Sequence, residues 1–349
     1  MARSASVVDL FCGVGGLTHG FVKENFNVSA GIDVDASCKY GYEKNNLGAK
    51  FLQRSITSMT GRELSELYPV GDTKILVGCA PCQPFSPYTN GPDRENKWKL
   101  LYKFAGLIRR SEPSIVSMEN VPELAKHSVF HYFVSVLEEE GFKVWHDEVD
   151  CVLYGVPQTR VRLVLLASKL GPITLVPPTH TVETRRTVRD TIGGNKLERL
   201  EAGQSSLSDP LHRASALSPL NLRRISLTPA GGGWKDWPEE LRLDCHKKDS
   251  GKSYGSVYGR ISWNNPSPTM TTQCNGLGNG RFGHPDQNRA ISLREAALFQ
   301  TFPQEYEFFD PNTKINFGNL ARHIGNAVPV RLGEMIAQSI RRHLEAHPV

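Results

Sequence analysis

Apolar residues in the first half of the chain come in short unbroken runs separated by longer amphipathic stretches. Residues 7–11 form such a run, which ends in the glycine-rich segment CGVGG, and residues 28–34, 75–77, 114–118 and 162–167 repeat the pattern. Runs of this length suit strands buried on both faces. Between them, residues 17–23, the stretch up to about residue 45, and residues 100–110 and 130–140 carry apolar side chains at helical spacing. Strand and helix alternating in this way predict an α/β fold, a doubly wound and mostly parallel sheet with helices on both faces. From about residue 172 the texture changes: Pro177-Pro178, Gly193-Gly194 and the glycines at 231–233 mark loops and short strands. Helical spacing returns at 292–299 and 330–344. Two units are expected, one built from residues 1–180 plus 312–349 and a smaller irregular one from 181–311.

Composition alters this picture little. Of 349 residues, 39% are hydrophobic and 22% charged, as in ordinary globular proteins. No apolar run approaches the ~20 residues of a membrane span, the start does not read as a signal peptide, and seven cysteines suit reduced thiols, so a cytoplasmic protein is expected. Charge is more informative. The net +5 lies in residues 181–290, which hold 16 Lys and Arg against 11 Asp and Glu. A basic segment in an otherwise balanced chain points to a polyanionic partner, although a solvated surface with extra arginines gives the same count.

Five segments carry candidate chemistry. In DLFCGVGG (9–16), glycines between a strand and a helix let the backbone approach a ligand and aim helix N-terminal amides at it. The spacing is GxGG, not GxGxxG, and a tight turn would look the same, but Asp33 stands about 20 residues on, where an acidic side chain binds ribose hydroxyls. In GCAPCQPFS (78–86), Cys79 and Cys82 form a CxxC at a strand end. A zinc site would need a second ligand pair, which is missing, so no metal is expected. A redox pair would open a helix, whereas Pro84 and Pro87 favour a loop. Residues 83–99 read as a polar loop that closes over a site. SMENVPEL (117–124) puts Glu119 and Asn120 at another strand end, where a lone Glu is otherwise a helix cap. In GVPQTRVR (155–162), Arg160 and Arg162 share a strand face, as a surface pair also would. HIGNAVPV (323–330) is a Gly-Asn turn before the last helix.

In this order the segments resemble the DNA cytosine-5 methyltransferase family, in its prokaryotic single-chain form. DLFCGVGGL matches its first motif, PCQPFS its catalytic loop, ENV its acidic motif, QTRVR its arginine motif and GNAVP its closing one. LLYKFAGLIRRSEP (100–113) and LREAALFQTFP (293–303) match two further segments. The likeness covers residues 5–170 and 290–345, and the stretch between corresponds only in being the family's variable target-recognition region. It implies a Rossmann-like fold that uses S-adenosylmethionine, and transfer of a methyl group to carbon 5 of a flipped cytosine in a specific duplex DNA sequence. Cys82 would add to carbon 6, Glu119 would hold N3 and the exocyclic amine, and Arg162, with Arg160 beside it, the O2 side. Cys79 is left without a role. For the cofactor, Phe11, Gly13, Gly15, Gly16 and Leu17 would surround the methionine moiety and Asp33 the ribose. Val34 and Ile56 would flank the adenine, and Pro81, Leu100, Asn326 and Val328 would complete the pocket. The family's Gly-Asp-Ile is Arg54-Ser55-Ile56 here, and Ser55 is a weaker acceptor for the adenine amine, so weaker cofactor binding is expected. The basic region would grip DNA, with residues 271–281 able to read base edges. A bacterial or phage-like monomer of a restriction–modification system, associated with the nucleoid through DNA, is expected. The alternatives are the tRNA-acting branch, which carries Thr where this chain has Ser86, an inactive DNA-binding relative, and an NAD-dependent oxidoreductase, which would leave PCQ, ENV and QTRVR unexplained.

Overall fold

Along β1 (Ala5–Leu10) the side chains alternate, so Val7 packs on one face of a sheet and Val8 on the other, both fully buried. A computed structural model gives the structure of the protein and describes residues 4–81, 94–194 and 196–348. The first half alternates as the pattern predicts: α1 (Gly16–Lys23), β2 (Asn27–Asp33), α2 (Lys39–Asn45), β3 (Lys50–Gln53), α3 (Gly61–Ser65), β4 (Thr73–Gly78), α4 (Arg94–Ser111), β5 (Ile115–Asn120), α5 (Ser128–Glu139), β6 (Lys143–Asp150), β7 (Gln158–Thr159) and β8 (Val161–Ser168). Irregular chain follows, with the short helices α6 (Val188–Ile192), α7 (Pro219–Ser226) and α8 (Asp244–Lys247) and the two-residue strand β9 (Ser267–Pro268). Helices α9 (Leu293–Phe299), α10 (Phe317–Asn326) and α11 (Val330–Ala346) close the chain.

Seven strands form one sheet in the order β3-β2-β1-β4-β5-β8-β6. All neighbours are parallel except β8, which runs antiparallel to both β5 and β6. Helices α1, α2, α9, α10 and α11 cover one face, and α3, α4 and α5 the other. Helices α1 and α11 cross at glycines, since a Cβ on Gly20 would stand 2.5 Å from the backbone of Gly333 and Glu334. The apolar core on that face runs without a break into the irregular segment through Leu211, Ile261, Met270 and Phe282.

The chain leaves β1 for β2 on one side and returns to β4 on the other, so the sheet has its switch point between β1 and β4. Ligands bind open α/β sheets at the carboxyl ends of strands on either side of such a point. Antiparallel β8 begins at the edge where β1, β4 and β5 end, because Asn120 pairs with Leu163.

Besides several short elements, two edge strands and one helix escaped the pattern. Strand β3 has only four residues and lies at one sheet edge. Strand β6, KVWHDEVD, forms the other edge, where its charged side chains stay in water and no apolar run is required. Helix α10 contains two glycines and two asparagines, poor helix formers, and is held by the apolar face of Leu320, Ala321 and Ile324. Helix α4 starts at Arg94, so residues 94–99 are helical where a loop was expected. The remainder of that loop, residues 83–93, lies outside the described residues.

Candidate active site

The glycine-rich turn after β1 requires backbone angles that side chains disfavour. Gly13 and Gly15 have φ of 50° and 89°, and Gly15 starts α1 without a side-chain cap. Gly16 is small for another reason: a Cβ there would lie 2.3 Å from the carbonyl oxygen of Val328 in the GNAVP turn. Asp33, at the end of β2, accepts from Gly13 N at 2.9 Å through one oxygen and from Asp35 N at 2.9 Å through the other. Its carboxylate therefore fixes the loop and keeps lone pairs for further donors.

These segments enclose a cavity of about 460 Å³ at the switch point. Every residue assigned to the cofactor from sequence lines it except Gly15, whose place is in the turn behind. Val34 is 63% exposed and Ile56 buried, an open and a closed apolar surface in one pocket. Ser55 Oγ accepts from Thr57 N at 3.2 Å and pairs with the Thr57 hydroxyl at 2.8 Å, so it caps a local turn as well as facing the cavity. Asp35, Cys38 and His323, on the wall, place ligand-type atoms within 4.8 Å of one another. Asp35 there is already ion-paired to Arg322 at 2.7 Å.

Asp9, which also lines the cavity, is 1% exposed. Burial pushes its carboxyl up to about 7, against the hydrogen bond from Thr18 Oγ1 at 2.7 Å and reinforced by nearby Asp33. A carboxyl raised in the folded state stabilises fully below its ordinary value of 3.8, and that contribution is lost as pH rises towards 7. Asp9→Asn, of similar shape and unable to ionise, is expected to flatten the fall in stability across this window. Urea unfolding at a series of pH values reads it, and an unchanged slope would count against it.

Next to the cavity, the ends of β4 and β5 and the start of β8 converge. Glu119, next to last in β5, is 2% exposed. Cys79, just past β4, donates its thiol to Glu119 Oε2 at 2.7 Å, and Arg162 Nε lies 3.0 Å from Oε1. That ion pair is not aligned as a hydrogen bond, and among the described residues Oε1 accepts none. A buried carboxylate oxygen in this state suits a donor that arrives with a ligand. Asn120, read from the sequence only as part of a motif, donates Nδ2 to the carbonyl of Ala80 at 3.0 Å and thus ties β5 to the chain two residues before Cys82. Cys82 itself lies outside the described residues. The structure therefore brings Glu119 and Arg162 together, and gives Cys79 a contact that sequence had not assigned.

The profile describing C-5 cytosine-specific DNA methylases matches residues 5–342. The chain belongs to this family. It is 57% identical over 343 residues to a type II methylase, M.HgiDII of Herpetosiphon aurantiacus, covering 97% of this chain and 96% of the relative. It is 28% identical to the type II methyltransferase M.PspPI of a Psychrobacter species, covering 99% and 81%. Among solved structures, a putative DNA modification methyltransferase encoded within an E. coli prophage superposes with a TM-score of 0.76 at 20% identity, covering 98% and 100%. DNMT2 of Spodoptera frugiperda superposes at 0.66 with 15% identity, covering 97% and 99%. The two structures share the fold of this methylase, a seven-stranded, mostly parallel Rossmann-like sheet.

The second arginine of the methylase has a different setting. Arg160 is 3% exposed, and it donates Nη1 to Met270 O at 3.4 Å and Nη2 to Ala327 O at 3.3 Å. Burial, then the neighbouring Arg162, pulls its guanidinium down to about 10. Gln158 donates to Gln300 Oε1 at 2.7 Å and accepts from Met270 N at 3.0 Å, while Gln300 donates to Ile324 O and Ala327 O. Parallel pairing of β7 with β9 joins the same segments. The arginine motif of the methylase thus forms a buried polar seam between the irregular segment and the GNAVP turn. Gln158 and Gln300 belong to this seam, and only their burial reveals it.

Several basic residues of the 181–290 segment face inward. Arg289 is fully buried, Arg260 is 4% exposed and Arg224 8%. Arg260 alone donates to the carbonyls of Ile225, Thr228, His284 and Gln287. Such side chains hold loops together and are not available to a polyanion. Arg186, Lys196, Arg199, Arg213 and Arg223 remain exposed.

Proposed function

We propose that this methylase transfers a methyl group from S-adenosylmethionine to carbon 5 of a flipped cytosine in a specific duplex DNA sequence, as the modification enzyme of a type II restriction–modification system. The observation that carries the reading is the Glu119 cluster, a buried carboxylate with one oxygen held by Cys79 and the other left for a donor, beside the cavity at the switch point. The 57% identity to a type II methylase over nearly the whole chain supports the modification role.

Carbon 5 of cytosine is a weak nucleophile. Addition of the Cys82 sulfur to carbon 6 breaks the aromaticity and makes carbon 5 electron-rich. Glu119 Oε1 accepts from the exocyclic amine and the protonated carboxyl donates to N3, so charge built up by sulfur addition is met by groups already in place. Arg162, paired with Glu119, faces the O2 side, and Arg160 holds the segments around it. The residues fit S-adenosylmethionine: Asp33 offers acceptors to a ribose, Val34 and Ile56 apolar faces to an adenine, and the open space at Gly13 admits close approach of a ligand. Bound there, it supplies the methyl group. Loss of the carbon 5 proton then expels the thiolate.

A base inside the duplex is out of reach of these groups, so the cytosine is flipped, at a cost of a few kcal/mol. The exposed cations of the 181–290 segment contact phosphates, and residues 271–281, which continue from the seam at Met270, lie near the flipped base and its neighbours. The cavity and the Glu119 cluster come from one chain, which suits a monomer, and the reading places the enzyme in the bacterial cytoplasm, on the nucleoid. Incubation with labelled S-adenosylmethionine and unmethylated duplex DNA, followed by bisulfite sequencing, is expected to show methylated cytosines in one short sequence. Label appearing in tRNA and not in DNA would overturn the reading in favour of the RNA-acting branch.

A further inference from the structure

The backbone at Cys79 is held on both sides. Its backbone N–H donates to Leu10 O at 3.3 Å across the β1–β4 pair, and the next residue, Ala80, is held through its carbonyl by Asn120. The side chain therefore leaves a fixed backbone, and its thiol donates to Glu119 Oε2 at 2.7 Å. Arg162 stands on the other oxygen without forming an aligned hydrogen bond. An ion pair alone leaves a carboxylate free to rotate about its last bond, whereas a donor on the far oxygen fixes the plane. Glu119 is 2% exposed, so water does not replace a missing donor.

We infer that Cys79 is a positioning residue for methyl transfer: its thiol locks the Glu119 carboxylate so that Oε1 stays turned towards the base. The inference rests on Glu119 acting on the cytosine ring, as proposed above. Without the thiol the carboxylate plane becomes free, which lowers the rate on bound substrate more than the affinity for DNA.

The full-length protein carrying Cys79→Ala, Cys79→Ser or Glu119→Gln is assayed by steady-state methyl transfer to duplex DNA, with thermal unfolding in parallel. Cys79→Ala is expected to lower kcat about tenfold, the usual scale for a hydrogen bond to a charged group, with KM for DNA within about twofold. Cys79→Ser, which restores a donor on a shorter arm, recovers most of the rate. A Cys79→Ala enzyme with wild-type kcat, beside an impaired Glu119→Gln, overturns the inference and leaves the role of Glu119 standing. Equal losses in the Ala and Ser variants with lowered melting temperatures overturn it in favour of packing. Wild-type kcat in Glu119→Gln removes the reading of Glu119 and the inference with it.

Discussion

Cys82→Ala is expected to abolish methyl transfer, by about four orders of magnitude or more, as removal of a nucleophile does elsewhere. No other group among those gathered here can take over. Cys79 donates to Glu119, and Cys12, Cys38, Cys151 and Cys274 are buried. Burial raises the thiols of Cys12, Cys38, Cys151 and Cys274 well away from the range in which a thiolate forms. On the proposed mechanism, without sulfur at carbon 6 the ring stays aromatic, and Glu119 and Arg162 have no developing charge to stabilise. The cavity at the switch point and the exposed cations are untouched, so the variant is expected to bind DNA with wild-type affinity while transferring nothing. A filter-binding titration beside the transfer assay reads both, and substantial residual transfer would remove the covalent mechanism.

The second large effect concerns stability. Arg289→Met is expected to cost about 3–5 kcal/mol at pH 7, the scale for breaking a buried ion pair by removing one partner. Arg289 is fully buried and grips Glu295 with both Nη atoms at 2.8 Å. Glu295 also accepts from Ser292 N and closes the capping box at the start of α9, so its carboxylate cannot turn away. Burial would push that carboxyl up, but Arg289 and the other partners hold it down at about 2. A group depressed in the folded state contributes stability above its ordinary value of 4.5 and loses it as pH falls towards 2. The variant lacks this contribution, so the gap to wild type is expected to narrow below pH 4.5. His284 lies 3.5 Å from Glu295 and is driven down to about 4, first by burial and then against the pull of Glu295, with Arg289 among the charges lowering it. Removing Arg289 lets His284 protonate more readily, which narrows the gap from a higher pH still. Urea unfolding at pH 7, pH 5 and pH 4 reads both effects, and a loss under about 1 kcal/mol at pH 7 would show that the pair is not needed.

The sheet and its rim were largely legible because the motifs and the strand ends coincide. A short apolar run followed by glycine, proline or an acidic residue marks the rim of a parallel sheet, and β1, β4 and β5 all end in this way. The edge strands and α10 were not legible, since exposure on one side or glycine content removes the apolar signature. Side-chain partnerships were hidden for a different reason. Asn120, Gln158 and Gln300 bond to main-chain atoms distant in sequence, and residue type says nothing about such a partner. Charge counting pointed to a polyanionic partner but not to the cations that could meet it, because it weighs Arg260 and Arg289 equally with Arg186. The first two hold the fold from inside, and only the last faces water.

The seam around Arg160 has a bearing on which stretches of the chain can be exchanged between relatives. Segments 157–160 and 267–271 are stitched through main-chain atoms and the Gln158–Gln300 pair. A recombination event that exchanged everything between residues 181 and 311 would carry off one half of these stitches and α9 with them. One that exchanged only the chain between residue 181 and the residues just before Ser267 would leave them whole. An exchange expected to leave the fold intact is therefore shorter than residues 181–311, and chimaeras joined just ahead of Ser267 should fold where longer exchanges fail.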